Sequence, residues 1–200
     1  MDGKALLFNR WDLSEVSVSD PGLKRYINLS PVVVPKTSGR FSTLSIHKAK
    51  MSVVERFMNK LAVSGHRGKK HKLSSGHAVG KYQNLYKAVK EAFEIIEKRT
   101  GKNPVHILVQ AIENGALCEE VMGYRMGGTI ARKAVTTSPQ RRLDVSLKLI
   151  AQDIFASSFK SKSSFAQVIA KELTEIANND QRNRVIRERA RIEKEAEGAR

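Results

Sequence analysis

Glu119-Glu120-Val121-Met122-Gly123-Tyr124-Arg125, then Met126-Gly127-Gly128, then Thr129-Ile130-Ala131-Arg132-Lys133-Ala134-Val135-Thr136-Thr137: this stretch decides the fold. Two short runs flank a Gly-Gly pair, the pattern of a hairpin turn that needs positive φ. It is the one strand signal in the chain. A lone two-stranded ribbon is only marginally stable in water, so this one is expected to lie against something, protein or RNA.

Outward from the ribbon, apolar residues recur at three- and four-residue steps, the helical period. Towards the C-terminus, Ser138-Pro139 reads as N-cap and first position of a helix lined by Leu143, Leu147, Ile150, Ile154 and Phe155. A polar connection over 157–164 follows, then a helix lined by Phe165, Val168, Ile169, Leu173 and Ile176. Asp180 is expected to cap a last helix from Gln181 to about Ala196. Its only apolar residues of size are Val185, Ile186 and Ile192, so it should be mostly solvated or lie on a partner. Towards the N-terminus, Asn103-Pro104 opens a helix with Val105, Leu108, Val109 and Ile112 inward. Before it, Gly80 to Thr100 carries Tyr82, Leu85, Tyr86, Val89, Phe93 and Ile96, with Gly101 as the C′ residue. Glu91, Glu94 and Glu97 are spaced to pair with Lys87, Lys90 and Lys98. Ala49 to about Val63 is a further helix, with Lys48, Lys50, Arg56 and Lys60 off its apolar stripe, and 64–80 is a glycine-rich loop. Residues 1–44 hold Pro21-Gly22, Pro31, Pro35 and Ser38-Gly39, and no helix is assigned there. Val32-Val33-Val34 suits a short edge strand or an extended strip on a surface. The expected fold is mainly α: a five- to six-helix bundle over 45–200, one inserted β-ribbon at about 118–137, and an extended N-terminal segment over 1–44.

Two hundred residues suit one domain, or one with long tails. No run approaches the roughly 20 apolar residues that span a bilayer. The opening Met1-Asp2-Gly3-Lys4 leads into no long apolar run, so no secretory signal is expected. The single cysteine, Cys118, forms no internal disulfide and fits a reducing cytoplasm. The dominant feature is charge: 36 Lys+Arg against 20 Asp+Glu, a formal net charge of +16. Such a chain repels itself unless a polyanion is near. Nucleic acid is the first candidate and an anionic membrane surface the second, though the last helix has too few apolar residues for the latter. A thermophile-type surface of ion pairs would balance its signs better. Residues 45–102 carry fourteen basic and four acidic residues, which is a localised footprint.

No catalytic constellation emerges. Cys118 has no neighbouring histidine. His66, His71 and His77 are too widely spaced, and too close to lysines, for zinc. Gly65-His66-Arg67-Gly68-Lys69-Lys70 lacks the spacing of a phosphate-binding P-loop. Glu119 and Glu120 point to opposite faces of a strand. No metal, cofactor or enzymatic activity is expected. Three basic clusters remain. The first is Arg67, Lys69, Lys70 and Lys72, flanked by Lys48, Lys50, Lys60 and Lys81. The second is Arg141-Arg142, cations in a helix's first turn where the dipole favours anions, a placement that a bound phosphate would explain. The third is Arg125, Arg132 and Lys133 on the ribbon, with Tyr124 as a stacking candidate and Gly127-Gly128 as the tip. Tyr82, Tyr86 and Phe93 are core residues before they are stacking platforms. The pattern favours phosphate and shape readout of folded RNA or DNA, with a DNA-architectural protein as the alternative.

Several separated motifs resemble one family. Thr100-Gly101-Lys102-Asn103-Pro104, Ile112-Glu113-Asn114, Gly127-Gly128 and Ser138-Pro139-Gln140-Arg141-Arg142 are similar, in order and spacing, to the universal small-subunit ribosomal protein seven family. Trp11 to Val16, Asp20 to Leu29 and the insertion at Gly65 to His71 resemble its archaeal and eukaryotic branch. The resemblance implies a non-enzymatic, cytoplasmic ribosomal protein that binds the 3′ major domain of small-subunit ribosomal RNA and nucleates head assembly. It implies neighbouring ribosomal proteins as partners, and a ribbon near exit-site transfer RNA and the messenger RNA exit path. It makes Lys69, Lys70, Arg141 and Arg142 ribosomal RNA contacts and Gly127-Gly128 the ribbon tip.

Overall fold

The computed structural model describes residues 5–63 and 80–200. Among them are seven α-helices: α1 (Pro21–Lys24), α2 (Val53–Leu61), α3 (Tyr82–Thr100), α4 (Pro104–Gly115), α5 (Pro139–Ser158), α6 (Phe165–Ala177) and α7 (Arg184–Glu197). A 3₁₀ turn, Ser45–Lys50, precedes α2, and one antiparallel ribbon, β1 (Glu119–Met126) with β2 (Thr129–Thr136), separates α4 from α5. The mainly helical fold with one inserted ribbon is as the sequence reads. The helix count exceeds the expected five or six because of α1, a single turn of four residues in a segment to which no helix was assigned. Asp20 accounts for it: its side chain caps Gly22 N at 2.7 Å, and Pro21 supplies a preset φ at the first position.

Asn103 and Gly101 cap as read from the sequence, whereas Ser138 stands at the N-cap of α5 without a side-chain cap bond. Asn103 accepts from Val105 N at 3.1 Å, and Gly101 ends α3 at φ +65°. Ser164 and Gln167 form a reciprocal capping box at the start of α6. Two starts differ. The helix expected from Ala49 begins at Val53, two extended residues after the 3₁₀ turn ends at Lys50. The last helix begins at Arg184, capped by Asn183, while Asp180 caps the turn before it through Arg182 N.

Helix α6 lies at the centre, packed on α3, α4 and α5. Phe93, Ile96, Leu108, Ile112, Leu147, Ile150, Ile169 and Leu173 are fully enclosed there. The N-terminal segment joins this core. Leu7, Phe8, Trp11, Leu13, Val16, Leu23 and Ile27 are buried in the same apolar cluster. Phe8 and Asn9 adopt φ of 54° and 59°, which closes a tight turn between Leu7 and Trp11. That turn delivers Phe8 and Trp11 edge-on to Phe93, with ring centroids 6.1 and 5.7 Å away. Arg10 then reaches Glu97 at 2.6 Å and Glu94 at 3.8 Å, so these carboxylates pair with the N-terminal segment as well as lying along α3. Val32-Val33-Val34 is neither strand nor extended strip: the chain bends at Val33 and Val34, where the Val33 carbonyl accepts from Phe8 N at 2.9 Å and the Val34 carbonyl from Lys36 N at 2.8 Å.

The ribbon's foot rests on protein. Helix α7, expected to be mostly solvated or to lie on a partner, packs on β1 and on α4 and α5, burying Val185, Ile186 and Ala196 and leaving its other residues exposed or half-buried. Past its end, the Ala199 carbonyl accepts from Ala134 N on the open edge of β2 at 3.3 Å. Glu193 accepts from Cys118 N at 2.9 Å, and Arg189 donates to the Asn114 carbonyl at 2.8 Å. Beyond that foot the strands project into solvent.

Candidate nucleic-acid interface

Helix α5 begins where the chain leaves β2, with Pro139 at its first position and Ser138 extended as N-cap. Its first turn holds no acid, so Arg141 and Arg142 oppose the helix dipole there. Each has an internal acid. Arg141 forks onto Glu120 of β1, Nη2 donating to Oε2 at 2.7 Å and Nε to Oε1, and that hydrogen bond raises the guanidinium's already high pKa. Arg142 is mostly buried: Nε donates to the Leu117 carbonyl at 2.9 Å and Nη2 to Asp20 Oδ2 at 2.8 Å. The unfavourable placement in the helix therefore has an intramolecular explanation, and no phosphate is needed for it. Arg141, with 60% of its side chain exposed, still presents an open face to solvent.

The 3₁₀ turn is fastened to the same helix. Gln140 donates to the Ser45 carbonyl at 2.8 Å. Lys48 and Arg56 converge on Asp144, at 2.6 and 3.0 Å. Burial would raise the Asp144 carboxyl; the hydrogen bonds from Lys48 and Arg56 outweigh that and hold it below the ordinary carboxylate value. Arg56, read from the sequence as off the apolar stripe, is 4% exposed and also donates to the Tyr26 carbonyl at 3.1 Å. Lys50 and Lys81 are exposed and Lys60 is half-buried. Arg67, Lys69, Lys70 and Lys72, with His66, His71 and His77, lie outside the described residues. The fold thus brings Lys48 onto Asp144 in the early turns of α5, and sets Arg141 against the ribbon's foot.

Cross-strand register divides the ribbon into two faces. Met122 faces Lys133, Tyr124 faces Ala131 and Met126 faces Thr129 on one side; Gly123 faces Arg132 and Arg125 faces Ile130 on the other. Gly127 and Gly128 turn the chain at φ 54° and 92°, which side-chain-bearing residues rarely adopt. Tyr124, Arg125, Arg132 and Lys133 are exposed. So are Met122, Met126 and Ile130, apolar residues that the sequence reading did not single out. A two-stranded ribbon standing off the body has nothing to cover either face, and that is the signal that would have found them.

Glu119 and Glu120 do point to opposite faces, and each is held. Arg200 Nη2 lies 2.7 Å from both Glu119 oxygens, mirroring Arg141 on Glu120. The sequence showed both charges but gave no reason to join positions so far apart. Beside this clamp a cavity of about 500 Å³ is lined by Cys118, Glu119, Arg189 and Arg200 among others. The Cys118 thiol is free and exposed. Tyr82 belongs to the body: its hydroxyl donates to the Pro35 carbonyl at 2.9 Å, and burial, then the charge of Glu55, pushes its pKa up to about 12. Among the described residues no group of three or more histidines, cysteines or carboxylates is placed to hold a metal ion, and no described helix is long and apolar enough to cross a membrane.

A helical body that holds an outstanding ribbon at its foot is a helix-and-ribbon fold, with cations exposed along the ribbon. The family model of ribosomal protein S7p/S5e matches residues 23–200. Relatives described as small ribosomal subunit protein uS7 align almost end to end. The one from Nanoarchaeum equitans is 44% identical over 98% of this chain and 100% of its own length. Those from Archaeoglobus fulgidus and Methanococcus aeolicus are 42% and 43% identical, covering 98% and 97% of this chain and 95% and 98% of theirs. The chain belongs to the ribosomal protein S7p/S5e family, as the motifs in its sequence suggested. It is a small-subunit ribosomal protein of the translation machinery, of archaeal type, in a family of structural components and not of enzymes, and its place is the cytoplasmic ribosome.

Proposed function

We propose that this protein binds the 3′ major domain of small-subunit ribosomal RNA and nucleates assembly of the subunit head, with its ribbon reaching towards exit-site transfer RNA and the messenger RNA exit path and its flanks meeting neighbouring ribosomal proteins. One observation carries the reading. From Val121 to Thr137 the ribbon holds Arg125, Arg132 and Lys133 and not one acid, while both carboxylates at its foot are engaged by arginines. The projecting part is thus purely cationic. Phosphate contacts are the chemistry such an element serves, and Tyr124 adds a ring on which a base can stack. Arg125, Arg132, Lys133, Tyr124, Lys48, Lys50, Lys60, Lys81 and the open face of Arg141 are the proposed contacts, joined by Arg67, Lys69, Lys70 and Lys72. Arg142 is proposed to act through the fold, by holding the α5 start that displays Arg141.

The test is binding of the full chain to a transcript of the 3′ major domain across a salt series, with duplex DNA as competitor. If six to ten phosphates are engaged, affinity falls about 10³- to 10⁵-fold between 50 and 200 mM salt. Equal displacement by duplex DNA would favour the DNA-architectural alternative and refute this reading.

A further inference from the structure

Arg141 stands at the meeting point of two functions. It is the most exposed cation of the α5 start, and it is also the tether of the ribbon's foot on one face, while Arg200 holds the other. The edge of its guanidinium that carries Nε and Nη2 is occupied by Glu120. That edge is one a phosphate would take in bidentate fashion. The same donors cannot serve both oxygens of Glu120 and two oxygens of a phosphate. Glu120 remains four-fifths covered at the ribbon's foot, whereas 60% of the Arg141 side chain faces water, so Arg141 is the partner free to swing. Of the ties that remain, Arg200 to Glu119 lies on the opposite face, the backbone bond from Ala134 to Ala199 lies on the β2 edge, and Glu193 of α7 holds Cys118 N at the very base of β1. Releasing Glu120 therefore frees the ribbon on one side only.

We infer that Arg141 exchanges Glu120 for an RNA phosphate on binding, so that engagement of RNA at the body releases the ribbon's foot on one face and lets the ribbon tilt about its Glu119–Arg200 tie. The inference rests on the RNA-binding reading above and adds to it a coupling between two contact regions. Coupling of this kind is reciprocal: whatever loosens the Glu120 tie strengthens the body's grip on RNA. An exposed pair is worth little in itself, which is what an exchangeable contact requires.

A double-mutant cycle in the full chain tests it, with a transcript of the 3′ major domain as the probe. Arg141→Gln weakens binding. Glu120→Gln tightens it by about two- to fivefold, the worth of an exposed pair. In the Arg141→Gln background the same Glu120→Gln change has a clearly smaller effect. Equal effects of Glu120→Gln in both backgrounds mean plain removal of a negative charge, and overturn the exchange. A second readout is independent of affinity. Spin labels at Met126→Cys and Gln167→Cys, in a Cys118→Ser chain, report the distance from ribbon tip to α6. RNA is expected to shift or broaden that distribution, and Glu120→Gln alone is expected to broaden it without RNA. A distribution unchanged by RNA overturns the inference while leaving the RNA-binding reading intact. A parent chain that ignores the transcript overturns both.

Discussion

Arg142 and Asp20 stand 122 positions apart in the chain and 2.8 Å apart in the fold. Asp20 caps α1 with one carboxylate oxygen and receives Arg142 with the other. Arg142 in turn holds the Leu117 carbonyl just past α4. One guanidinium thus fastens the N-terminal segment, the exit from α4 and the start of α5.

Replacement of Arg142 by alanine leaves Asp20 and a half-buried carbonyl short of their donor. The expected loss is about 2–3 kcal/mol of folding stability, measured by urea denaturation. Reversal to glutamate sets like charges side by side and is worse. A change of Arg142 is therefore a poor probe of RNA contact, whereas Arg141→Gln is expected to leave stability within about 0.5–1 kcal/mol of the parent.

Trp11→Ala is expected to cost about 3–5 kcal/mol, because the indole is 4% exposed and packs on Phe8 and Phe93. An N-terminal segment merely draped on the surface would show almost no change. The thermal midpoint of the full chain distinguishes the two.

Glu172 gives the protein a pH-dependent fastening. It is buried on α6 against Asp153 of α5, and Asn183, the cap of α7, donates to it at 2.8 Å. Burial first, then the neighbouring Asp153 charge, raises its pKa from the ordinary 4.5 to about 7. Asp153 Oδ2 is buried beside it without a hydrogen-bond donor. Arg184, 3.6 Å from Asp153, is the nearby cation, and Glu175 faces Asn183 at 3.5 Å. A folded value above the unfolded one means that the stabilisation is complete below pH 4.5 and is lost as pH rises through 7. The melting temperature is expected to fall across that window by the equivalent of about 2 kcal/mol, allowing for water near the carboxyl, and Glu172→Gln should flatten the profile. An unchanged slope in the variant would show that other groups set it.

Gly128→Val forces a β-branched residue to φ 92° at the ribbon tip. The tip touches nothing else, so global stability is expected to stay within about 1 kcal/mol of the parent. Amide exchange over 122–132 should nonetheless accelerate as the turn loses its preferred form, and RNA affinity should fall if the ribbon binds as a preformed element.

Local chemistry settled much of this molecule before any contact was seen. The Gly127-Gly128 turn, the Asn103-Pro104 and Ser138-Pro139 starts and the Gly101 stop depend on φ preferences and cap bonds within a few residues, so they are readable in order along the chain. The apolar stripes of α3 to α6 follow from periodicity, and the cationic ribbon from composition alone. What the tertiary structure decided are relations with no local signature. Arg56 looks like a surface cation until Asp144 and Tyr26 are brought to it. Residues 5–27 look like an irregular extension because they supply only isolated apolar residues, and only folding sets Leu7, Phe8, Trp11 and Leu23 in a common core. The grip of Arg141 and Arg200 on neighbouring carboxylates likewise needs three elements to converge. Electrostatic partners are fixed by distance in space, and for groups this far apart along the chain that distance is set by packing.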